Sequence, residues 1–326
     1  KASDWFFDKE KQMTYILKSK DGKLICRPVN YAATDEQVYK QLIKLAAAGK
    51  LSYTPRDLLV NAITVEYGRL NGSSYYLARI PQYDLAGNKV TPRVAITSQD
   101  GSADGQKYSA LDYARRENTA FCLNASLFNT KTLKAEGQLI INGVDMTTYK
   151  ADSSGNQYPW MDDDMGTAIS NTECYPLCID AAGKLSTPYT NRKADGARPA
   201  ALISSGYKYA VTAWGTIIDN YKNTSTDTWN EIVHKGKYVR QVIGQYQNGD
   251  YVVCSFDGIK GSITANEAGI DYDDIANLLI SKGVRFAYSL DGGGSCETVL
   301  RDRQINPIFE GTTGRKVPTV IYFASD

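Results

Sequence analysis

Phe286-Ala287-Tyr288-Ser289-Leu290-Asp291-Gly292-Gly293-Gly294-Ser295 is the stretch on which the reading of this chain turns. An apolar, strand-like run enters an aspartate, then three glycines, then a serine. Successive glycines remove every Cβ at one point, so another group can approach the backbone closely. Consecutive exposed N–H groups in such a turn form a nest for anions, phosphate oxygens included. Asp291 at the strand end directs its carboxylate toward the same space. A tight hairpin without function has the same local pattern, so the turn needs support from the rest of the chain.

Working outward, strand patterns fall at 63–67, 75–80, 93–97, 120–124, 137–142, 199–204, 209–214, 239–246, 251–256, 285–290, 297–300 and 318–323. Helical patterns fall at 109–117 and 271–282; the second has Asp271 as cap, a stripe at Ile275, Leu278 and Leu279, and Gly283 as stop. Strands outnumber helices and do not alternate with them. This predicts an α+β fold with a mostly mixed or antiparallel β-sheet core and a few flanking helices.

Residues 1–57 read as a small N-terminal arm or module. It has short strands around Trp5–Phe7 and Thr14–Leu17, an Asp21-Gly22 turn, and a helix from Thr34 to Gly49. Residues 58–326 form the main domain, with a polar, turn-rich insertion near 145–195. Its Asp162-Asp163-Asp164 run matches no calcium loop and reads as a solvated loop.

The 326 residues carry 37 basic and 36 acidic side chains, a net charge of +1, which argues against nucleic acid as partner. No apolar run reaches the length of a membrane-spanning helix. The single histidine, His234, lies in a polar turn-like stretch with no nucleophile signature nearby. Histidine-rich zinc sites and HExxH proteases are thereby excluded. Six cysteines, at 26, 122, 174, 178, 254 and 296, make no CxxC pair. Cys122 and Cys254 lie in apolar runs and read as buried hydrophobes, whereas Cys174 and Cys178 have pairing partners left open. A start at Lys1, with no methionine and no signal-like segment, reads as a processed or trimmed product.

Several segments, taken in order, resemble the phosphodiester glycosidase domain family. Leu290–Ser295 resembles the family signature, and Asn124-Ala-Ser-Leu-Phe128 resembles its Asn-Gly/Ala-Gly-Phe-Phe segment. Glu136–Gly143 follows as the family's Gly-x-Val-Ile strand, and Arg240-Gln-Val-Ile-Gly244 matches Arg-Thr-Ala-Ile-Gly. Asp257-Gly258, Gly269–Ala276 and Arg315–Val320 complete the series, with Asp274 standing where the family has glutamate. The match runs from about Leu58 to the C-terminus. Departures fall at Ser126-Leu127, which replaces Gly-Phe, at Ser289 in place of asparagine, and at Cys296-Glu297.

The resemblance implies a hydrolase that cleaves between a sugar's anomeric carbon and a phosphodiester oxygen. Phosphate is a good leaving group, so such a site needs little general-acid help. It needs cations and N–H donors on the phosphate and a carboxylate at the sugar carbon or its water. Asp291 is the candidate key carboxylate and Asp257 the second. Arg240 and Arg315 are candidate phosphate clamps, the Gly292, Gly293 and Gly294 amides and Ser295 candidate donors, and Asn124 a candidate sugar ligand. Plainer roles stay open: a surface ion pair for Arg240, an Asp-Gly turn for Asp257, a structural amide for Asn124, a solvated side chain for Arg315. No cofactor is required and no metal site is predicted, though a bound divalent cation is compatible with the sequence. The expected partner is a sugar phosphate or glycan outside the cytoplasm, with residues 1–57 available for a larger assembly. A non-catalytic attachment module for phosphorylated glycans, as at a phage tail tip, is the alternative. A metal-dependent phosphodiesterase cleaving the other P–O bond is a third.

Overall fold

The computed structural model describes residues 54–151, 153–160, 175–188, 198–225, 237–258, 269–307 and 314–326, together with the backbone of the hairpin Tyr15–Lys18/Leu24–Arg27. The expected strand at Trp5–Phe7, the helix from Thr34 to Gly49, the Asp162–Asp164 run, Cys174 and His234 lie outside the described residues.

Every named strand pair is antiparallel. A seven-stranded sheet runs Lys222–Asn223, Gly215–Asp219, Val284–Leu290, Arg240–Tyr246, Tyr251–Phe256, Ser73–Ile80 and Thr64–Leu70. A five-stranded sheet runs Arg303–Gln304, Thr298–Leu300, Phe121–Asn124, Thr319–Ser325 and Val90–Ile96. The largest core cluster lies between their facing sides, joining Val65, Ala78, Ile243 and Val253 to Val94, Phe121, Leu123, Ile321 and Phe323.

Period-two alternation explains why these strands read as continuous apolar runs: both faces are buried. On Tyr251–Phe256, Tyr251 and Val253 enter the central core. Val252, Cys254 and Phe256 point to the opposite face, where they meet Ile275, Ala276 and Leu279. Those last three belong to the helix Tyr272–Ser281, whose Asp271 cap accepts from the Asp274 N–H. On the outer face of the five-stranded sheet, Cys122, Val299 and Val320 pack on Ala110, Tyr113 and Ala114 of the helix Ala110–Glu117. The molecule is therefore layered helix, sheet, sheet, helix. Burial on both faces also accounts for the thiols of Cys122 and Cys254, which are pushed well above the ordinary range.

A third sheet runs Leu185–Ser186, Pro176–Asp180, Tyr207–Thr212, Ile140–Ile141 and Val144–Asp145. Part of the span expected as a polar insertion thus forms regular sheet, with Cys178 buried as a free thiol. Only Ile140–Ile141 of the expected 137–142 strand pairs, because Asn142 and Gly143 turn the chain with positive φ.

Two helices differ from the sequence reading. Pro199–Ser204, expected as a strand, is a helix that places Leu202 against the third sheet. Pro199 stands at the start, where a missing N–H costs nothing and the fixed φ suits a helix. A further helix, Pro55–Ala62, is capped by Thr54 and sends Leu59 and Val60 into the central core. Its Asp57 forms a buried ion pair with Arg301, Nε to Oδ1 3.2 Å.

Candidate active site

The chain leaves the seven-stranded sheet at Leu290 and joins the five-stranded sheet at Thr298. Asp291–Ser295 is the crossing, closed by a single 3-10 turn at Gly293–Ser295. It therefore lies at the edge of the central core, where both sheets contribute groups. Gly292 allows this close passage, since a Cβ there would collide with the Val239 carbonyl oxygen. Gly293 has φ +58°, and the space where its Cβ would stand is open.

Register sets the neighbours. Gln241 pairs with Leu290 and Arg240 with Phe256. One step further along these ladders, Arg240 stands beside Asp291 on one side, and Asp257 follows Phe256 on the other. Three charged candidates separated by as many as 51 positions in the chain thus gather at adjacent strand ends. Cys296 feels the negative charge of both Asp257 and Asp291, which add to the burial that pushes its thiol up.

Arg240 is buried, and its guanidinium lies 4.2 Å from the ring centre of Tyr272 and 5.2 Å from that of Tyr238. The contact with the buried Tyr272 ring helps to orient the planar cation. The Tyr272 hydroxyl lies 2.6 Å from Ser289 Oγ. Burial raises the Tyr272 phenol's pKa; Arg240 and the hydrogen bonds with Ser289 and Arg240 oppose the rise, and Asp291 adds to it. The same phenol thus senses both Arg240 and Asp291.

Asn124 is fully buried, and its amide is used inside the protein. Its Nδ2 donates to the Asp291 carbonyl at 2.7 Å, and its Oδ1 accepts from the Glu297 N–H and Gln241 Nε2, both at 3.1 Å. Gln241 also donates to Thr298 Oγ1 at 2.8 Å and accepts from Ser255 Oγ at 2.9 Å. This buried network ties the turn to both sheets. The Asp291 N–H, in turn, donates to Ala125 O at 3.0 Å.

The glycine amides are less open than a free nest. Gly292 N–H donates to Asp291 Oδ1 at 2.9 Å, and Gly293 N–H to Val239 O at 2.9 Å. Gly294 is left as the amide of the three not so engaged. Arg315, half-buried, donates from Nη1 to Ser295 Oγ at 3.3 Å.

Glu297, one of the departures, reaches the helix Ala110–Glu117, where its Oε1 accepts from the Leu111 N–H, while its Oε2 lies against Gly314, next to Arg315. Burial is the main reason its carboxyl rises to about 7, and Asp112 adds to the rise. Among the described residues no three His, Cys, Asp or Glu side chains gather as a metal site, and no helix is long and apolar enough to cross a membrane.

Sequence reasoning did not single out Tyr238, Gln241 or Tyr272, and it marked Glu297 only as a departure from the family pattern. A signal existed for Gln241: a polar side chain inside an apolar strand, like Asn124, Ser255 and Thr298, has to be satisfied by partners from other strands.

With this geometry in place, comparison with known proteins is specific. The phosphodiester glycosidase family matches residues 118–324. The SPbeta prophage-derived uncharacterized protein YomE of Bacillus subtilis (strain 168) is 31% identical over 214 residues, covering 65% of this chain. The chain spans 29% of that relative's length. Among solved structures, the fold is similar to the zebrafish N-acetylglucosamine-1-phosphodiester alpha-N-acetylglucosaminidase catalytic domain auto-inhibited by its pro-peptide. That match has a TM-score of 0.55 at 14% identity and covers 81% of this chain and 82% of that one. A hypothetical protein from Synechocystis is similar at TM-score 0.54 and 13% identity, covering 81% of this chain and 62% of that one.

Proposed function

Because the chain belongs to the phosphodiester glycosidase family, we propose that it hydrolyses the bond between a sugar's anomeric carbon and a phosphodiester oxygen. One observation carries this reading: Asp291, Arg240 and Asp257 converge at adjacent strand ends, on the signature turn, with Arg315 held on Ser295. A phosphodiester between sugar and aglycone needs such a pairing of cation and carboxylate.

In the proposed reaction Arg240 and Arg315 hold the phosphate oxygens, and the Gly294 amide adds a donor. The bond from the anomeric carbon to the phosphate oxygen breaks, and its electron pair leaves with the phosphate. Asp291 faces the positive charge that develops on the sugar, as nucleophile, base or stabiliser. Water supplies the new hydroxyl, and its proton passes to Asp291. Asn124 acts by bracing Asp291 rather than by touching the sugar. The pre-stacked Arg240 needs little reorganisation as charge moves onto the phosphate.

The test is incubation with UDP-GlcNAc and with a GlcNAc-1-phosphodiester, each with and without chelator, for the wild type and Asp291→Asn. Free sugar from the wild type, insensitive to chelator and lost in the variant, is the expected result. Release of sugar phosphate would overturn the assigned bond, and full activity in a folded Asp291→Asn protein would overturn the assigned residue. The prophage origin of the relative supports a second reading, in which the site holds a phosphorylated surface glycan without cleaving it. Binding without turnover distinguishes it. Under either reading we place the protein at a cell surface, in secretion or on a virion, with residues 1–57 as an attachment arm to a larger assembly.

A further inference from the structure

Arg240 has two aromatic neighbours of different kinds. Tyr272 is fully buried, belongs to a helix and touches the guanidinium at 4.2 Å. Tyr238 is 40% exposed, precedes the strand by two residues, and lies at 5.2 Å. Single exposed aromatics are common on protein surfaces and need no role. Tyr238 differs in its setting: of the large apolar side chains exposed among the described residues, it is the one that contacts a candidate site residue.

Its backbone is held from two sides. A Cβ on Gly258 would collide with the Tyr238 carbonyl carbon, so the Asp257-Gly258 strand end passes directly beneath it. The next residue, Val239, accepts from the Gly293 N–H at 2.9 Å. The ring is thus presented at a fixed place beside the signature turn, with area left uncovered.

We infer that Tyr238 is a stacking platform for a ring on the leaving-group side of the phosphate, and so selects substrates whose aglycone carries one. The inference rests on the phosphodiester glycosidase reading. In that reading Asp291 marks the sugar carbon and Arg240 the phosphate. Tyr238 meets Arg240 and lies over Gly258, on the neighbouring strand away from Asp291, so it borders the group beyond the phosphate. A flat partner is what an exposed phenol face selects: the apolar face of a pyranose or a nucleobase.

The experiment compares three esters of the same sugar phosphate. These are a methyl phosphodiester with no ring, a phosphodiester to a hexopyranoside, and UDP-GlcNAc. KM and kcat are measured for the wild type, Tyr238→Ala, Tyr238→Phe and Tyr238→Trp. Tyr238→Ala is expected to raise KM about tenfold for at least one ring-bearing ester, as loss of one aromatic stack does. The loss on the methyl ester, which reads only the contact of Tyr238 with Arg240, should be smaller by about threefold or more, with any change in kcat shared by all three esters. Phe and Trp should keep the wild-type pattern. The ester that loses more tells a pyranose platform from a nucleobase platform.

Equal losses on all three esters would overturn the inference, because Tyr238 would then serve Arg240 or the sugar itself. A Phe variant as damaged as the Ala variant would also overturn it, since the hydroxyl rather than the ring would matter. If the wild type binds these esters without cleaving them, the hydrolase reading fails, and the same contrast is read from calorimetric Kd values. No binding of any ester refutes both.

Discussion

Replacing Glu297 by glutamine separates the charge of this side chain from its shape. The carboxyl is 3% exposed and rises from an ordinary 4.5 to about 7, chiefly through burial. A carboxyl whose pKa is higher in the folded state holds its proton there longer than in the unfolded chain. Its contribution is therefore most favourable below about pH 4.5, declines as pH rises toward 7, and is constant above. The span of about 2.5 units corresponds to roughly 3 kcal/mol, at 1.36 kcal/mol per unit. Glutamine keeps an oxygen for the Leu111 N–H and never ionises. Urea unfolding at pH 4 should give wild type and Glu297→Gln the same stability to within about 0.5 kcal/mol. At pH 8 the variant should be more stable by about 2–3 kcal/mol, with unchanged m-value. A gap that is the same at both pH values, or a variant weaker at pH 8, would refute the argument. Either result would mean that the helix N-terminus outweighs desolvation and that Glu297 folds charged.

The glycines of the turn should separate by mechanism. Gly292→Ala forces a Cβ onto a backbone oxygen and should cost about 2–4 kcal/mol in denaturant titration. Gly293→Ala meets open space and bears only the positive-φ penalty, about 1 kcal/mol, with Gly293→Asn milder still. Equal costs at 292 and 293 would contradict the placement of the turn. Gln241→Leu strips partners from Asn124, Thr298 and Ser255 at once, and should destabilise by about 2–3 kcal/mol in the same assay. Arg240→Lys keeps the charge but loses the planar stack and bidentate geometry. It should lower kcat/KM for a GlcNAc-1-phosphodiester about 100-fold while the circular dichroism spectrum is unchanged; unaltered turnover would remove Arg240 from the phosphate.

Local patterns made much of the fold legible, and their failures have local causes. Tyr251–Phe256 and Phe121–Asn124 read as buried strands because alternate residues fill two different apolar layers. The helix Tyr272–Ser281 read clearly because cap, stripe and stop agree. Pro199–Ser204 did not, because six residues with one main anchor, Leu202, cannot display helical periodicity. Pro55–Ala62 lies across the expected boundary at 57/58, where a composition change hides a capped helix. In the candidate site, Asp291 stands out in the sequence because carboxylate and glycines are adjacent there. Gln241, Tyr272 and Tyr238 were not, because their roles arise only when register aligns separate strands.

Ser289 shows what that difference means for the departures from the family pattern. Read alone, serine in place of asparagine is a lost amide beside the key carboxylate. In the fold, Ser289 Oγ meets the Tyr272 hydroxyl at 2.6 Å, and both groups are fully buried. That phenol belongs to the helix Tyr272–Ser281, and its ring lies against Arg240. The serine thus keeps a buried polar partner, a phenol from a segment 17 positions earlier. Glu297 is bonded in the same way by its surroundings: Oε1 accepts from the Leu111 N–H at a helix start, and Oε2 lies against Gly314, next to Arg315. Neither departure leaves its side chain idle: Ser289 is bonded inside the seven-stranded sheet, and Glu297 is bonded at the start of the helix Ala110–Glu117.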